Sequence, residues 1–427
     1  MSTTTGFWQS RGYVSWFTAD TAVAVGSALR GFVVPLIAFS VSHSLSTAGW
    51  LSTLSIALQQ VCGLFGGTIV DRHPRKPLII GNAVIQMLLW ASVSLLMVIG
   101  RLDTLIPFGV VAVSACTTGL IGQATDAALR SIISMQNYAK ARSINEGRDA
   151  TINMAGSPIG GILYGIQPWL PFVCSAVVYA IAGGSAARLH LHERTGIVTT
   201  RGEDTVGVIS TGTRKAGRSS FLDDFLLGWK WSFHSQRIPL IIAAASLMNF
   251  GLSGIQYTIQ LHLINIGTQP FRIGLMDTGV CVGMLVGSVL ANRLSDKVHV
   301  GRTMCVAFIM AVAFVIPMLL DSSYWVIFFS YAFMALPFPM VNSMLLGFVF
   351  SKIEEHMQGR VAAVISAPAQ VLSMFCSGMA GSLLPVSGFT ATVAIFFVAM
   401  TVSSLITLFT AAIKTIPQSS QWPSAQL

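Results

Sequence analysis

Hydrophobic positions along the chain fall into long, nearly unbroken runs separated by short polar breaks. Neither strand-like alternation nor the one-sided stripe of a surface helix organises them. The runs lie at 14–40, 48–70, 77–100, 105–130, 143–166, 168–188, 238–264, 270–292, 302–320, 323–350, 361–384 and 388–413. Each is close to or above the ~20 residues with which an α-helix crosses ~30 Å of hydrocarbon. Helices satisfy their own backbone groups in lipid, and these runs are too long and too evenly apolar for barrel strands. The pattern predicts an all-α membrane protein with twelve transmembrane helices, hereafter spans 1 to 12.

One polar break is long. Residues 189–236 are rich in Gly, Thr and Ser and divide the spans six and six. The expected organisation is an N-terminal bundle over 1–188, a linker over 189–236 and a C-terminal bundle over 237–427. Within the linker, Phe221 to Phe233 mixes Phe, Leu and Trp with Asp223, Asp224 and Lys230, as a helix lying on a membrane surface would. The halves echo one another. Arg142 opens span 5 and Arg360 opens span 11, 218 positions later, and Gly160 and Gly378 keep that offset. Gly67 and Gly287 are 220 apart. Two parallel six-helix repeats leave this kind of spacing.

Composition agrees. Apolar types make up 53% of the 427 residues and charged types 10%, against about 25% charged in soluble domains. The net charge of +9 does not indicate nucleic acid, because 22 of the 25 Lys and Arg lie in the polar segments and span ends on one side. Only Arg30, Arg101 and Arg272 lie elsewhere. This bias predicts cytoplasmic termini in a cell membrane. Trp16, Trp50, Trp169 and Trp325 stand at span ends and read as interfacial aromatics. The polar N-terminus lacks a cleavable signal pattern, so the first run is expected to persist as span 1. All six cysteines sit within apolar runs and form no CxxC pair, so neither a disulfide framework nor a metal site is expected. His190 and His192, two positions apart, read as solvated loop residues. No phosphate-cradling Gly-Lys-Ser loop occurs, which excludes an ATP-driven pump. No nucleophile elbow or metal cluster marks a hydrolase. No cofactor is expected, leaving an ion gradient as the energy source.

Ionisable residues inside spans are costly, about 2.5–3.5 kcal/mol each on insertion scales, and so call for a role. Asp20 and Arg30 lie on span 1, about 15 Å apart along the axis. Arg142, Glu146, Asp149 and Asn153 form a polar stripe on span 5 at helical spacing, and the stripe has no counterpart 218 positions later. A carboxylate in a partly apolar cavity can load and release a proton. Asp20, Glu146 and Asp149 are therefore the proton-coupling candidates. Arg30 and Arg148 are their charge partners or contacts for an anionic substrate. On span 7, Asn249, Ser253, Gln256 and Gln260 share a face that lines a cavity or glues helices together. Asp277 reads as a partner of Arg272 or as a gate residue. Phe333, Pro337, Phe338, Pro339 and Asn342 read as a kinked aromatic cavity wall or as packing.

The sharpest local signal is Gly67-Thr-Ile-Val-Asp71-Arg72-His-Pro-Arg75-Lys76, joining spans 2 and 3. It resembles the signature loop of the major facilitator superfamily, G-x-x-x-D-R-x-G-R-[RK], with Pro74 where the family often has Gly. As a gate, Gly67 would let helices approach closely. Asp71 would accept from amides at the opening of span 11. Asp126, near the end of span 4, would pair with Arg75, or locally with Arg130. Gly156-Ser-Pro158-Ile-Gly160-Gly161 on span 5 is similar to the G-P-x-x-G-G element of the superfamily's antiporter branch, with its proline shifted by one. Small-residue packing around a proline kink is the alternative.

Three features look most like bacterial exporters of the enterobactin and macrolide efflux type. They are the opening of span 1, the basic run Tyr138-Ala-Lys-Ala-Arg-Ser-Ile-Asn145, and Gly359-Arg360-Val361. The resemblance implies two bundles rocking by alternating access and proton-driven export of a small amphipathic compound, drug- or siderophore-like. The expected partners are that substrate and the lipid bilayer, with the chain acting as a monomer. An importer or facilitator of the same fold is the rival reading, and a membrane-embedded lipid enzyme the more distant one.

Overall fold

The computed structural model describes residues 11–133, 135–189, 237–294, 298–351, 358–416 and 418. The expected linker beyond Leu189 and its surface helix lie outside these residues, as do His190 and His192.

The N-terminal half comprises α1 (Arg11–Ser42), α2 (Leu45–Arg72), α3 (Arg75–Ile99), α4 (Leu105–Ile121), α5 (Ala124–Ile132), α6 (Met135–Ile166) and α7 (Leu170–Ala187). The C-terminal half comprises α8 (Arg237–Asn265), α9 (Pro270–Leu294), α10 (Val300–Leu320), α11 (Tyr324–Ala335), α12 (Phe338–Phe350), α13 (Gln358–Met374), α14 (Cys376–Phe409) and the short α15 (Ala411–Lys414). Three expected spans are broken helices, span 11 among them, where α13 gives way to α14 at Phe375. Span 4 divides into α4 and α5 at the Gly122–Gln123 turn, and span 10 into α11 and α12 at Leu336–Pro337, where proline denies the ladder a donor.

Among the described residues, ten stretches are long and apolar enough to cross a membrane, the longest being the 44 residues Ser366–Phe409. That stretch turns back on itself. Cys376 Sγ donates to the Phe250 carbonyl at 3.3 Å, while the Phe396 ring packs on the Phe250 ring, centroids 5.4 Å apart. Twenty residues of straight helix span about 30 Å, so one residue meets both only if the chain reverses between them. The reversal falls at Gly388, with φ 75° and ψ 178°, a region essentially reserved for glycine. Counted as two crossings, and joined by the charge-rich α6, this stretch completes twelve transmembrane helices in two pseudo-symmetric bundles of six.

α6 starts at Met135, eight residues before the expected span. Hydropathy registers the apolar part of a helix and not the helix, and Ala, Lys, Arg and Gln continue it into the polar zone at little cost. Trp16 is not an interfacial aromatic. It is fully buried, and its Nε1 donates to the Thr125 carbonyl at 2.8 Å. Together with Arg75 Nη1, which donates to the Ala127 carbonyl at 2.7 Å, it ties α5 to α1 and α3. Trp325 and Trp50 are exposed, as expected.

Helix polarity defines two ends, a terminal end where α1 begins and a distal end where α1 turns into α2. The halves meet along two related seams near the distal end. α6 packs on α9, and α14 packs on α2. In chain order these are spans 5 with 8 and 11 with 2, the pairing that a repeat of six helices generates. Leu64, Phe65, Leu88, Leu95, Val98, Val286 and Phe329 are exposed on helix faces, where lipid would cover them.

Candidate functional site

The distal seams are built from small residues that let backbones touch. A β-carbon on Gly161 would collide with Pro270, and one on Gly274 with Ser157. On the other seam a β-carbon on Gly49 would strike Ser377, and one on Gly381 would strike Leu45. Hydrogen bonds gather where the backbones meet. Ser157 Oγ donates to Asp277 Oδ2 at 2.7 Å, and Thr278 Oγ1 to the Met154 carbonyl at 3.1 Å. Ser46 Oγ donates to the Gly381 carbonyl at 3.2 Å, Trp50 Nε1 to Ser382 Oγ at 3.0 Å, and the Gly378 amide to Thr53 Oγ1 at 2.9 Å. The distal end is the closed end in this structure.

The Gly156–Gly161 element thus serves two interfaces. Gly156 and Gly160 pack on Ala28 and Phe32 of α1, while Gly161 meets α9. Pro158 lies inside α6 between them. Asp277 belongs to the seam, where it accepts from Ser157. Arg272 is not its partner and instead lies over the Tyr324 ring, 5.8 Å from the centroid.

Toward the terminal end, Arg148 draws three elements of chemistry together. Its Nη2 contacts Asp20 Oδ2 at 2.5 Å and Asp149 Oδ1 at 2.7 Å. Its Nη1 donates to Thr21 Oγ1 at 3.1 Å, and the guanidinium lies 5.1 Å from the Phe17 ring centroid. Side-chain exposure is 10% for Arg148, 17% for Asp20 and 42% for Asp149. Two carboxylates share one cation. Fully ionised, the group carries one net negative charge, and a single proton neutralises it. Asp149 is the most exposed of the three.

Glu146 lies apart. It bonds Arg142 at 2.7 Å with 62% of its side chain exposed, and Arg142 also reaches Asp126 at 3.3 Å. Such surface pairs contribute about 0–1 kcal/mol, and Glu146 has no share in the Arg148 cluster. The expected Asp126–Arg75 pair is likewise replaced. Arg142, from the unexpected extension of α6, takes Asp126, while Arg75 reaches a backbone carbonyl of α5.

The signature loop closes α2 and opens α3. Gly67 meets nothing within 4 Å, and the close approach falls one residue earlier, where a β-carbon on Gly66 would strike Gly119 and Leu120 of α4. A one-residue shift turns a helix by about 100°, which is enough to exchange the packed glycine for the open one. Asp71 and Arg72 are exposed and Lys76 is partly so. The acceptor site expected at the opening of span 11, including Arg360, falls outside the described side chains.

A cavity of about 340 Å³ lies between the halves at mid-depth, bounded by α1, α2, α3 and α4 and, across from them, by Tyr257 and Gln260 of α8. Arg30 reaches into it. A much smaller pocket beside it is lined by Gln256, Gln260, Asp277 and Tyr331. Of the polar face expected on span 7, Gln256 and Gln260 therefore meet a cavity. Asn249 donates to the Ala245 carbonyl of its own helix at 3.0 Å, and Asn342 on α12 is exposed and lines neither cavity.

The Major Facilitator Superfamily profile matches residues 17–366. The chain belongs to the major facilitator superfamily. It is a multi-pass membrane transporter and not an enzyme. Comparison with curated protein sequences finds no match. Among solved structures, this superfamily member is similar to a bacterial homologue of the iron transporter ferroportin in an inward-facing state, at TM-score 0.70 and 15% identity over 94% of this chain and 99% of that one. It is also similar to a nucleoside transporter, at TM-score 0.65 and 11% identity over 92% and 99%. An auto-inhibited peptide transporter of the POT family follows at TM-score 0.62 and 14% identity, covering 98% of each chain.

Some site residues of this transporter went unremarked in the sequence. Gln86, Trp90, Ser114 and Thr118 surround Arg30. The available signal was Gln86, an amide in the middle of an apolar span, where a polar group needs a partner.

Proposed function

We propose that this transporter exports a small amphipathic compound, drug- or siderophore-like, by proton antiport, as the resemblance to enterobactin- and macrolide-type exporters implies. The terminal end is cytoplasmic in this reading, the membrane is the cell membrane, and the chain works as a monomer. The observation that carries it is the Asp20–Arg148–Asp149 cluster. A static ion pair needs one acid for one base. Here a second acid is added, and its side chain is 42% exposed.

The cluster sits on α1 and α6, and both helices also feed the seams and the cavity. α6 brings Ser157 and Gly161 to the distal gate, and α1 carries Arg30 to the cavity, ten residues or about 15 Å from Asp20. Proton loading alters the cluster's charge by one unit at the point where these helices meet. That alteration biases which end of the bundle is open, and alternating access moves proton and substrate in opposite directions.

The test is uptake into inverted membrane vesicles with and without an imposed pH gradient. Gradient-driven accumulation of a substrate such as a fluorescent siderophore, lost in Asp20→Asn and Asp149→Asn, is the expected result. Flux that ignores the gradient would point to a facilitator and remove the antiport reading.

A further inference from the structure

Among the described residues, Arg30 is a cation without a counter-ion. The ion pairs among the described residues place Asp20 and Asp149 on Arg148, and Asp126 and Glu146 on Arg142. Arg30 instead makes two hydrogen bonds, both from Nη1, to Gln86 Oε1 at 3.2 Å and Ser114 Oγ at 2.5 Å. Its guanidinium carbon lies 5.8 Å from the Trp90 ring centroid. Asp277 lines the smaller neighbouring pocket and accepts from Ser157.

The network beneath Arg30 is tightly determined. Gln86 Oε1 also accepts from Trp90 Nε1 at 3.0 Å and from Ser114 Oγ at 2.7 Å. Gln86 Nε2 donates to the Ser114 carbonyl and to Thr118 Oγ1, both at 3.0 Å. With its NH2 taken by two oxygens, the amide can only offer its oxygen toward Arg30. These partners are neutral. They aim the guanidinium and leave its charge uncompensated in the middle of a membrane-embedded bundle, where an unpaired charge is strongly disfavoured. The donors beyond Nη1 are a planar fork suited to a carboxylate or phosphate.

The fork opens on the 340 Å³ cavity, whose walls combine Ser55, Gln59 and Gln260 with the apolar Val34, Ile56 and Val111. We propose that the transported compound is an amphipathic organic anion, its acidic group docked on Arg30 and its apolar body against Val34, Ile56 and Val111. This deepens the transport reading and rests on it only in treating the cavity as the substrate site. A cationic amphiphile would be repelled, and a neutral one would leave the guanidinium unneutralised.

The test is equilibrium binding to the purified full chain without any gradient, using three nearly isosteric probes: naphthalene-2-carboxylate, its carboxamide and 2-naphthylmethylammonium. The carboxylate is expected to bind most tightly, and Arg30→Gln to weaken it about thirtyfold or more. Arg30→Lys keeps the charge but loses the fork. It is expected to preserve the order of the probes with weaker carboxylate binding, and it decides the matter should the Gln variant fail to fold. Equal binding of carboxamide or ammonium to the wild type, no binding of any probe, or unchanged carboxylate affinity in the variants would overturn the proposal. Gradient-independent flux together with Arg30-dependent carboxylate binding would remove proton coupling and leave the anion site standing.

Discussion

Ser157 and Asp277 join the two bundles through a 2.7 Å hydrogen bond between α6 and α9. The bond sits beside Gly274, where the helix backbones come into contact. It therefore belongs to the distal-closed arrangement, and separating the seam breaks it.

Removing the donor should favour the distal-open arrangement. A buried acceptor left without its partner costs about 1–3 kcal/mol, so Ser157→Ala is expected to shift the equilibrium by roughly five- to 150-fold. Spin labels at Gln167 and Gln269, in a background lacking the native cysteines, would report a longer distance. An unchanged distance distribution would show that the bond does not gate.

Bulk at the seam acts in the same direction by sterics. Gly161→Leu places a side chain against the Pro270 backbone, which cannot move aside without separating α6 from α9. The expected result is a folded protein with transport abolished and the same label pair moved apart. Gly165→Ala, with nothing within 4 Å, should leave both measurements unaltered.

The Arg148 cluster predicts a double-mutant signature. Arg148→Met leaves two acids without their cation, one of them largely buried, and breaking a buried pair in this way costs about 3–5 kcal/mol. Thermal unfolding in detergent should show a large drop that Asp20→Asn partly repairs in the double variant. Additive losses would mean that the two residues do not stabilise one another.

Glu146→Gln is the contrasting case. Its carboxylate is 62% exposed on Arg142, so stability should alter by no more than about 0.5 kcal/mol and gradient-driven flux should persist. Loss of coupling in this variant would return Glu146 to the proton path.

Gly388→Ala probes the reversal between the last two crossings. At φ 75° and ψ 178° a β-carbon costs about 1–3 kcal/mol. A lowered unfolding temperature is expected, and an unaltered one would place the reversal elsewhere.

Much of this architecture is legible without coordinates. The crossings follow from run length against bilayer thickness, a one-dimensional comparison, and the signature loop follows from residues adjacent in sequence. Partner choice is different. Asp126 takes Arg142 because α6 extends beyond its apolar part, and Gly66 packs where Gly67 was expected because one residue turns the helix by about 100°. Trp16 stands at a span end but points inward to Thr125.

By itself, then, the sequence determined twelve crossings and which acids and bases lie inside the bundle. Tertiary structure alone decided that Arg148 holds two acids, that Arg30 holds none among the described residues, and that Ser157 meets Asp277. The reason is that helices apolar nearly all round record how deep a residue lies but not which way it faces. Facing is set by how twelve such cylinders rotate against one another, and the chemistry of transport depends on it.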